Sequence, residues 1–162
     1  MSFQFLKIID VDKKILWKNV LKIVKYLPMI IGAFGGRGFN DWYTFIMFLL
    51  SKDYDGEIYA IMYYNKVVSF VRTRLYTDTN SCFLHGGYTK ALKTFTKLTQ
   101  LYIKRALWKL LKEQLSLKSN RIVIEAPKDD FNKLTLINNF CVKRGFTLNN
   151  ETDDHKYYTL LV

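Results

Sequence analysis

Apolar and polar positions along this chain fall into two rhythms, one of period two and one near 3.6, and their succession predicts the elements. SFQFLKIID has strand content. Asp12 is placed to cap a helix from about Lys13 to Tyr26, with Leu16, Val20, Ile23, Val24 and Leu27 at helical spacing. Pro28 and the glycines Gly32, Gly35, Gly36 and Gly38 interrupt the pattern. The run GAFGGRGFND lacks the Gly-Lys-Ser/Thr ending of a phosphate-binding loop. It reads as a connection whose Asp41 caps a second, very apolar helix, WYTFIMFLLSK.

The clearest sheet signal follows. EIYAIMYY and KVVSFVRTRLY are β-rich runs, with Asn65-Lys66 as the two-residue turn between them. TDTNS is another turn and CFLHGGY a third strand, where Gly86-Gly87 suggests a bulge or a close backbone approach. A long helix starts between Thr94 and Leu98 and runs to about Leu115. Its apolar side is read as Leu98, Leu101, Tyr102, Trp108, Leu111 and Leu115, with Arg105, Lys109 and Lys112 on a different strip. RIVIEA (121–126) is a continuous apolar run, the pattern of a buried strand. Asp129 or Asp130 caps a helix through LTLINNFCVK, Gly145 suits its end, and FTLNN, ETDD and HKYYTLLV form a final hairpin. The predicted order is βαα, βββ, α, β, α, ββ, an α+β arrangement. No repeat, low-complexity tract or linker divides it, so a single domain over 1–162 is expected.

Charge changes the picture more than composition does. The chain carries 25 Lys and Arg against 14 Asp and Glu, a formal net charge of +11. Residues 90–121 alone hold nine of those cations beside one acid, Glu113. Such a field favours polyanions: nucleic acid, an anionic membrane face or a phosphate-rich cofactor. Cys82 and Cys141 have no CxxC spacing, which speaks against a disulfide framework or a zinc site and for a reducing cytoplasm. No metal site is expected. The start of the chain lacks the pattern of a signal peptide, and the most apolar windows are too short to cross a bilayer, so a soluble protein is expected.

From Glu57 to the C-terminus the order of elements resembles the GCN5-related N-acetyltransferase (GNAT) superfamily, and the two N-terminal helices agree with it. The most specific local match is RIVIEA, a capped helix, FCVKRGF and a hairpin. The superfamily often shows there a helix ending in Phe-Tyr-x-x-x-Gly-Phe, and Gly145 and Phe146 fall on its Gly-Phe. The resemblance implies a mixed, mostly antiparallel sheet of about seven strands flanked by four helices, splayed between strands 4 and 5, here CFLHGGY and RIVIEA. It also implies acetyl-CoA or another acyl-CoA in that splay, with the pyrophosphate at the N-terminus of the next helix.

Two departures stand out. The superfamily's Arg/Gln-x-x-Gly-x-Gly/Ala loop is missing, since no Gly occurs between Gly87 and Gly145. Lys90, Lys93 and Lys97, with the hydroxyls of Thr94 and Thr96, are the candidate replacements for holding phosphate, beside Gly86 and Gly87. Cys141 stands where the superfamily often has the Tyr that protonates the leaving thiolate. It is read either as a proton donor or as a small buried packing residue.

Acyl transfer to an amine needs a base near neutral pKa, a stabilised oxyanion and a proton for the thiolate. His85, beside Gly86-Gly87, is the first candidate base. Glu125 and Glu57 are the next, and His155 near the last turn is expected in solvent. Tyr157, Tyr158 and Tyr102 are alternative acids. Arg72, Arg74 and Tyr76 alternate along one strand onto one face and could grip an anionic acceptor. The expected activity is acyl-CoA-dependent N-acyltransfer to a primary amine. The alternative is a catalytically degenerate scaffold, of phage or toxin type, that binds nucleic acid or a protein.

Overall fold

In a computed structural model of the chain, residues 3–7 and 56–162 are described. The two expected helices at 13–26 and 42–52 lie outside them. The strands are β1 (Phe3–Lys7), β2 (Gly56–Tyr63), β3 (Lys66–Tyr76), β4 (Ser81–Tyr88), β5 (Arg121–Pro127), β6 (Thr147–Glu151) and β7 (His155–Leu161). Between them come a short 3-10 helix (Lys90–Thr94) and the helices α1 (Lys97–Ser116) and α2 (Phe131–Val142). One seven-stranded sheet runs in the order β1-β2-β3-β4-β5-β7-β6. The β1/β2, β5/β7 and β6/β7 pairs are antiparallel and β4/β5 is parallel, which is the mixed α+β architecture expected.

Tertiary contacts group the residues into two compact units, Met1–Arg72 with Gly86–Leu107 and Thr73–His85 with Trp108–Val162. In the first, Tyr63, Val68, Leu92 and Ile103 form a buried cluster against which Phe3 and Phe95 pack. In the second, α2 packs on β5, and Trp108, Phe140 and Phe146 meet as an aromatic group with ring centroids 5.4–6.4 Å apart. Such rings bring large buried area and a preference for tilted contacts.

Two sequence expectations are corrected. The β2–β3 turn is Tyr64-Asn65, not Asn65-Lys66, because both of its residues sit at positive φ, 47° and 59°. A two-residue hairpin of the favoured hand requires that at both positions. Lys66 is therefore the first residue of β3. On α1 the buried stripe is Ile103, Leu107, Leu111 and Leu115, whereas Leu98, Leu101 and Tyr102 are 79%, 53% and 48% exposed. A helix with leucines nearly all round has the right period for several faces, so spacing alone does not choose which one turns inward.

The end of α2 follows its sequence closely. Asp130 Oδ1 accepts from the Lys133 N–H at 2.9 Å, which makes Asp130 the N-cap. At the other end Gly145, at φ 77°, donates to the Val142 carbonyl, and Phe146 N–H donates back to the Cys141 carbonyl at 3.1 Å. That pair of bonds is the Schellman arrangement, and the left-handed position is the reason for glycine. It aims buried Phe146 into the aromatic group and starts β6.

Candidate active site

The two sides of β5 are not equivalent. Toward β7 it is laddered along its whole length, from Arg121↔Leu161 to Pro127↔His155. Toward β4 the ladder holds only Ser81↔Arg121, Cys82↔Ile122 and Phe83↔Val123, although β4 continues to Tyr88 and β5 to Pro127. The ladder between the fourth and fifth strands thus ends after three pairs, where the sequence resemblance implied a splay.

Just past that point the chain gathers its titratable groups. Glu125, with a side chain 16% exposed, has Oε2 3.7 Å from His85 Nε2. Its Oε1 accepts from the Tyr157 hydroxyl at 3.3 Å and lies 3.7 Å from His155 Nε2. Register explains the convergence: Glu125 pairs with Tyr157 across the β5/β7 ladder, and His155 is two residues away on the same face of β7. His155, expected in solvent, is half-buried and belongs to this group. Its alternation with Tyr157 is the signal that the sequence offered. Burial, and then the Glu125 carboxylate, raise the Tyr157 phenol above its ordinary value.

Of the other candidate acids, Tyr158 is buried and donates to Asn138 Oδ1 at 3.0 Å. Tyr102 is on the exposed side of α1. Cys141 is fully buried, and burial pushes its thiol up to about 12, with Arg144 acting in the opposite direction. Glu57, in the other unit, accepts from the Tyr59 hydroxyl at 2.8 Å.

The strand glycines differ from one another. A Cβ on Gly86 would sit 2.8 Å from the Phe70 carbonyl oxygen, so the close approach expected there exists and is made to β3. A Cβ on Gly87 would meet nothing within 4 Å, and its carbonyl accepts from Ser69 Oγ at 2.9 Å. That open side is room for a ligand beside the backbone. Lys90, Lys93 and Lys97 are exposed, Thr94 Oγ1 donates to the Ala91 carbonyl, and Thr96 Oγ1 accepts from the Thr99 N–H as the cap of α1. Three exposed cations here could hold a phosphate. Arg74 lies with Cζ 5.0 Å from the Tyr76 ring, and Arg72 precedes it on β3, both half-buried. Among the described residues, no group of three or more His, Cys, Asp or Glu is arranged to hold a metal, and no helix is long and apolar enough to cross a membrane.

No family model matches the sequence, and no curated protein matches it. Solved structures do match. The chain is similar to the N-acetyltransferase PseH of Campylobacter jejuni in complex with acetyl coenzyme A, at 16% identity over 99% of both chains and a TM-score of 0.58. It is similar to the spermidine N-acetyltransferase SpeG of Vibrio cholerae, at 9% identity over 98% of this chain and 93% of that one, TM-score 0.59. A GNAT-family protein of Bacteroides thetaiotaomicron matches at 13% identity over 100% and 88%, TM-score 0.62. At such identities the likeness shows a fold, and the fold is that of the GNAT acetyltransferases.

Proposed function

We propose that the chain is an acyl-CoA-dependent N-acyltransferase, most simply an acetyltransferase, acting on a primary amine. One observation carries the reading: the β4–β5 ladder stops after Phe83↔Val123, and the Glu125 cluster stands directly beyond the stop. The fold shared with acetyltransferases, one of them in complex with acetyl coenzyme A, supports it.

Acyl-CoA would supply an activated acyl group, with Gly87 leaving space along β4 and Lys90, Lys93, Thr94 and Lys97 offering charge and hydrogen bonds to phosphate. The chain's own part is proton handling. His85 takes a proton from the incoming ammonium, and Glu125 orients the imidazole and stabilises its charged form. Tyr157 is the tyrosine that shares this cluster and is the assigned acid for the thiolate. Cys141 is assigned a packing role, since a buried thiol held near 12 gives up a proton poorly. Arg72 and Arg74, the latter braced on Tyr76, favour an amine carried on an anionic molecule.

Calorimetry with acetyl-CoA tests the first step, and release of free thiol from acetyl-CoA in the presence of a panel of primary amines tests the second. Saturable binding is expected. His85→Ala should leave the affinity within a few-fold while lowering thiol release by about 10²-fold or more. Absence of any acetyl-CoA uptake would sink the proposal.

A further inference from the structure

A second group of side chains, within the unit that holds the β2–β3 hairpin, takes no part in that proton handling. The hairpin turn places Tyr64 at φ 47°, a backbone region that disfavours bulky residues and is ordinarily filled by Asn or Gly. Its ring is nevertheless 62% exposed, so core burial does not explain a tyrosine there. It meets the buried Tyr63 edge-on with centroids 4.7 Å apart. Tyr63 shares its buried cluster with Ile103 of α1, the neighbour of Tyr102, so hairpin and helix meet at this place. Tyr102 is half-exposed on α1, with exposed Leu98 and Arg105 one turn away on either side.

Cations complete the face. Phe95 packs on Tyr63 at 5.6 Å, and Lys66 Nζ lies 5.1 Å from the Phe95 ring centroid while donating to Thr94 Oγ1 at 2.9 Å. Lys66 is thus held by a ring face and a hydroxyl, and no described carboxylate pairs with it or with Arg105. The sequence from Thr79 to Lys112 contains no Asp or Glu at all. An anchored Lys66 and an exposed Arg105, neither paired with a described carboxylate and both near exposed rings, suit a ligand that offers both phosphates and accessible base faces.

We infer that this face, formed by Tyr64, Lys66, Tyr102 and Arg105, binds single-stranded nucleic acid, with the rings stacking on bases and the cations following the backbone. A duplex hides its base faces and is the poorer ligand. The inference does not rest on the acyltransferase reading, although Lys66 is anchored on Thr94, which that reading offers to phosphate.

Fluorescence anisotropy with a labelled 12-nucleotide oligo(U), and with a duplex of equal length, tests it. Two to three phosphate contacts predict a loss of about tenfold in affinity between 50 and 200 mM salt. Tyr64→Asn is expected to weaken oligo(U) binding by about 5- to 150-fold, the range for one lost stacking partner, while Tm stays level or rises because Asn suits the left-handed turn. Lys66→Gln should flatten the salt slope by about 0.7. Unchanged binding in both variants, preference for the duplex, or no binding at 50 mM salt would overturn the inference. Displacement of oligo(U) by acetyl-CoA would also overturn it, by giving the face to the nucleotide end of the acyl carrier. Acetyl-CoA calorimetry on Tyr64→Asn keeps the two readings apart, since the variant should bind acetyl-CoA as the parent chain does.

Discussion

The two flanks of β5 are built from the same strand and do opposite work. Its flank toward β7 is closed over seven consecutive pairs, and the residues there are chosen for packing: Ile122, Ile124 and Ala126 are buried, as is Tyr158 opposite Ile124. Its flank toward β4 is closed over three pairs and then carries polar groups, His85 and Glu125, at the place where pairing ends. A sheet interior normally completes its ladders, because buried backbone groups are costly to leave without partners. An early stop between two central strands, with ionisable side chains gathered at it, is the feature on which the proposed acyltransferase reading rests. The difference teaches that the continuous ladder on one flank positions groups at the other: β7 sets Tyr157 opposite Glu125, with His155, opposite Pro127, two residues along the same face.

The comparison breaks most visibly if Glu125 is neutralised. Glu125→Gln keeps the shape but removes the charge that faces both imidazoles, and thiol release should fall by about 10²- to 10⁴-fold. Stability should change little, because the variant still accepts from Tyr157. A variant that unfolds, yet turns over normally under conditions where it is folded, would show that Glu125 belongs to the closed flank. The complementary change is Ile122→Ala. Ile122 is fully buried and sits in both ladders, opposite Cys82 and Leu160. Its truncation should cost about 2–5 kcal/mol in chemical denaturation, with acetyl-CoA affinity retained while the chain is folded.

Much of the closed flank was legible in the sequence, because local chemistry dictates it. RIVIEA has the uninterrupted apolar run of a strand covered on both faces, Asp130 has the cap geometry it advertised, and Gly145 occupies the left-handed position that its place after a helix predicted. The open flank was only partly legible. His85 and Glu125 were recognisable as chemistry-bearing residues, but His155 lies 30 positions beyond Glu125, and only strand register brings them together. The face of α1 was read correctly at Leu111 and Leu115 and wrongly in its first turns: Leu98 and Leu101 satisfy a helical period as well as Ile103 and Leu107 do, and tertiary contacts select the phase. At the β2–β3 turn, Asn65 was the right signal, but Tyr64 concealed the register because a bulky residue at positive φ is not what turn chemistry predicts.

The helix end that starts β6 offers a finer test of the closed side. Gly145 sits at φ 77° with open space where a Cβ would point, so Gly145→Ala introduces backbone strain without a clash. The expected cost is about 1 kcal/mol, and Gly145→Asn should recover part of it because Asn tolerates this conformation better. Thermal melts of the two variants measure the difference. Equal losses for Ala and Asn would mean that the Schellman turn is not what holds Phe146 in place.

The smallest effect concerns Cys141, and its sign follows from burial. The folded chain holds this thiol near 12 against an ordinary value of 9.0, so the native state keeps a proton that the unfolded chain releases. Its contribution to stability is complete below pH 9 and is lost as pH rises toward 12. Tm should therefore stay level from pH 7 to 9 and decline above it, with Cys141→Ala giving a flatter decline; the raised phenols of Tyr63, Tyr157 and Tyr158 add loss of the same sign in both proteins. Cys141 is fully buried and its thiol is pushed up, so at pH 8 iodoacetamide should leave it unmodified in the folded chain and label it once the chain is denatured. Rapid labelling of native protein at Cys141 would instead reveal a thiolate exposed to the open flank, and would return this residue to the chemistry of the site.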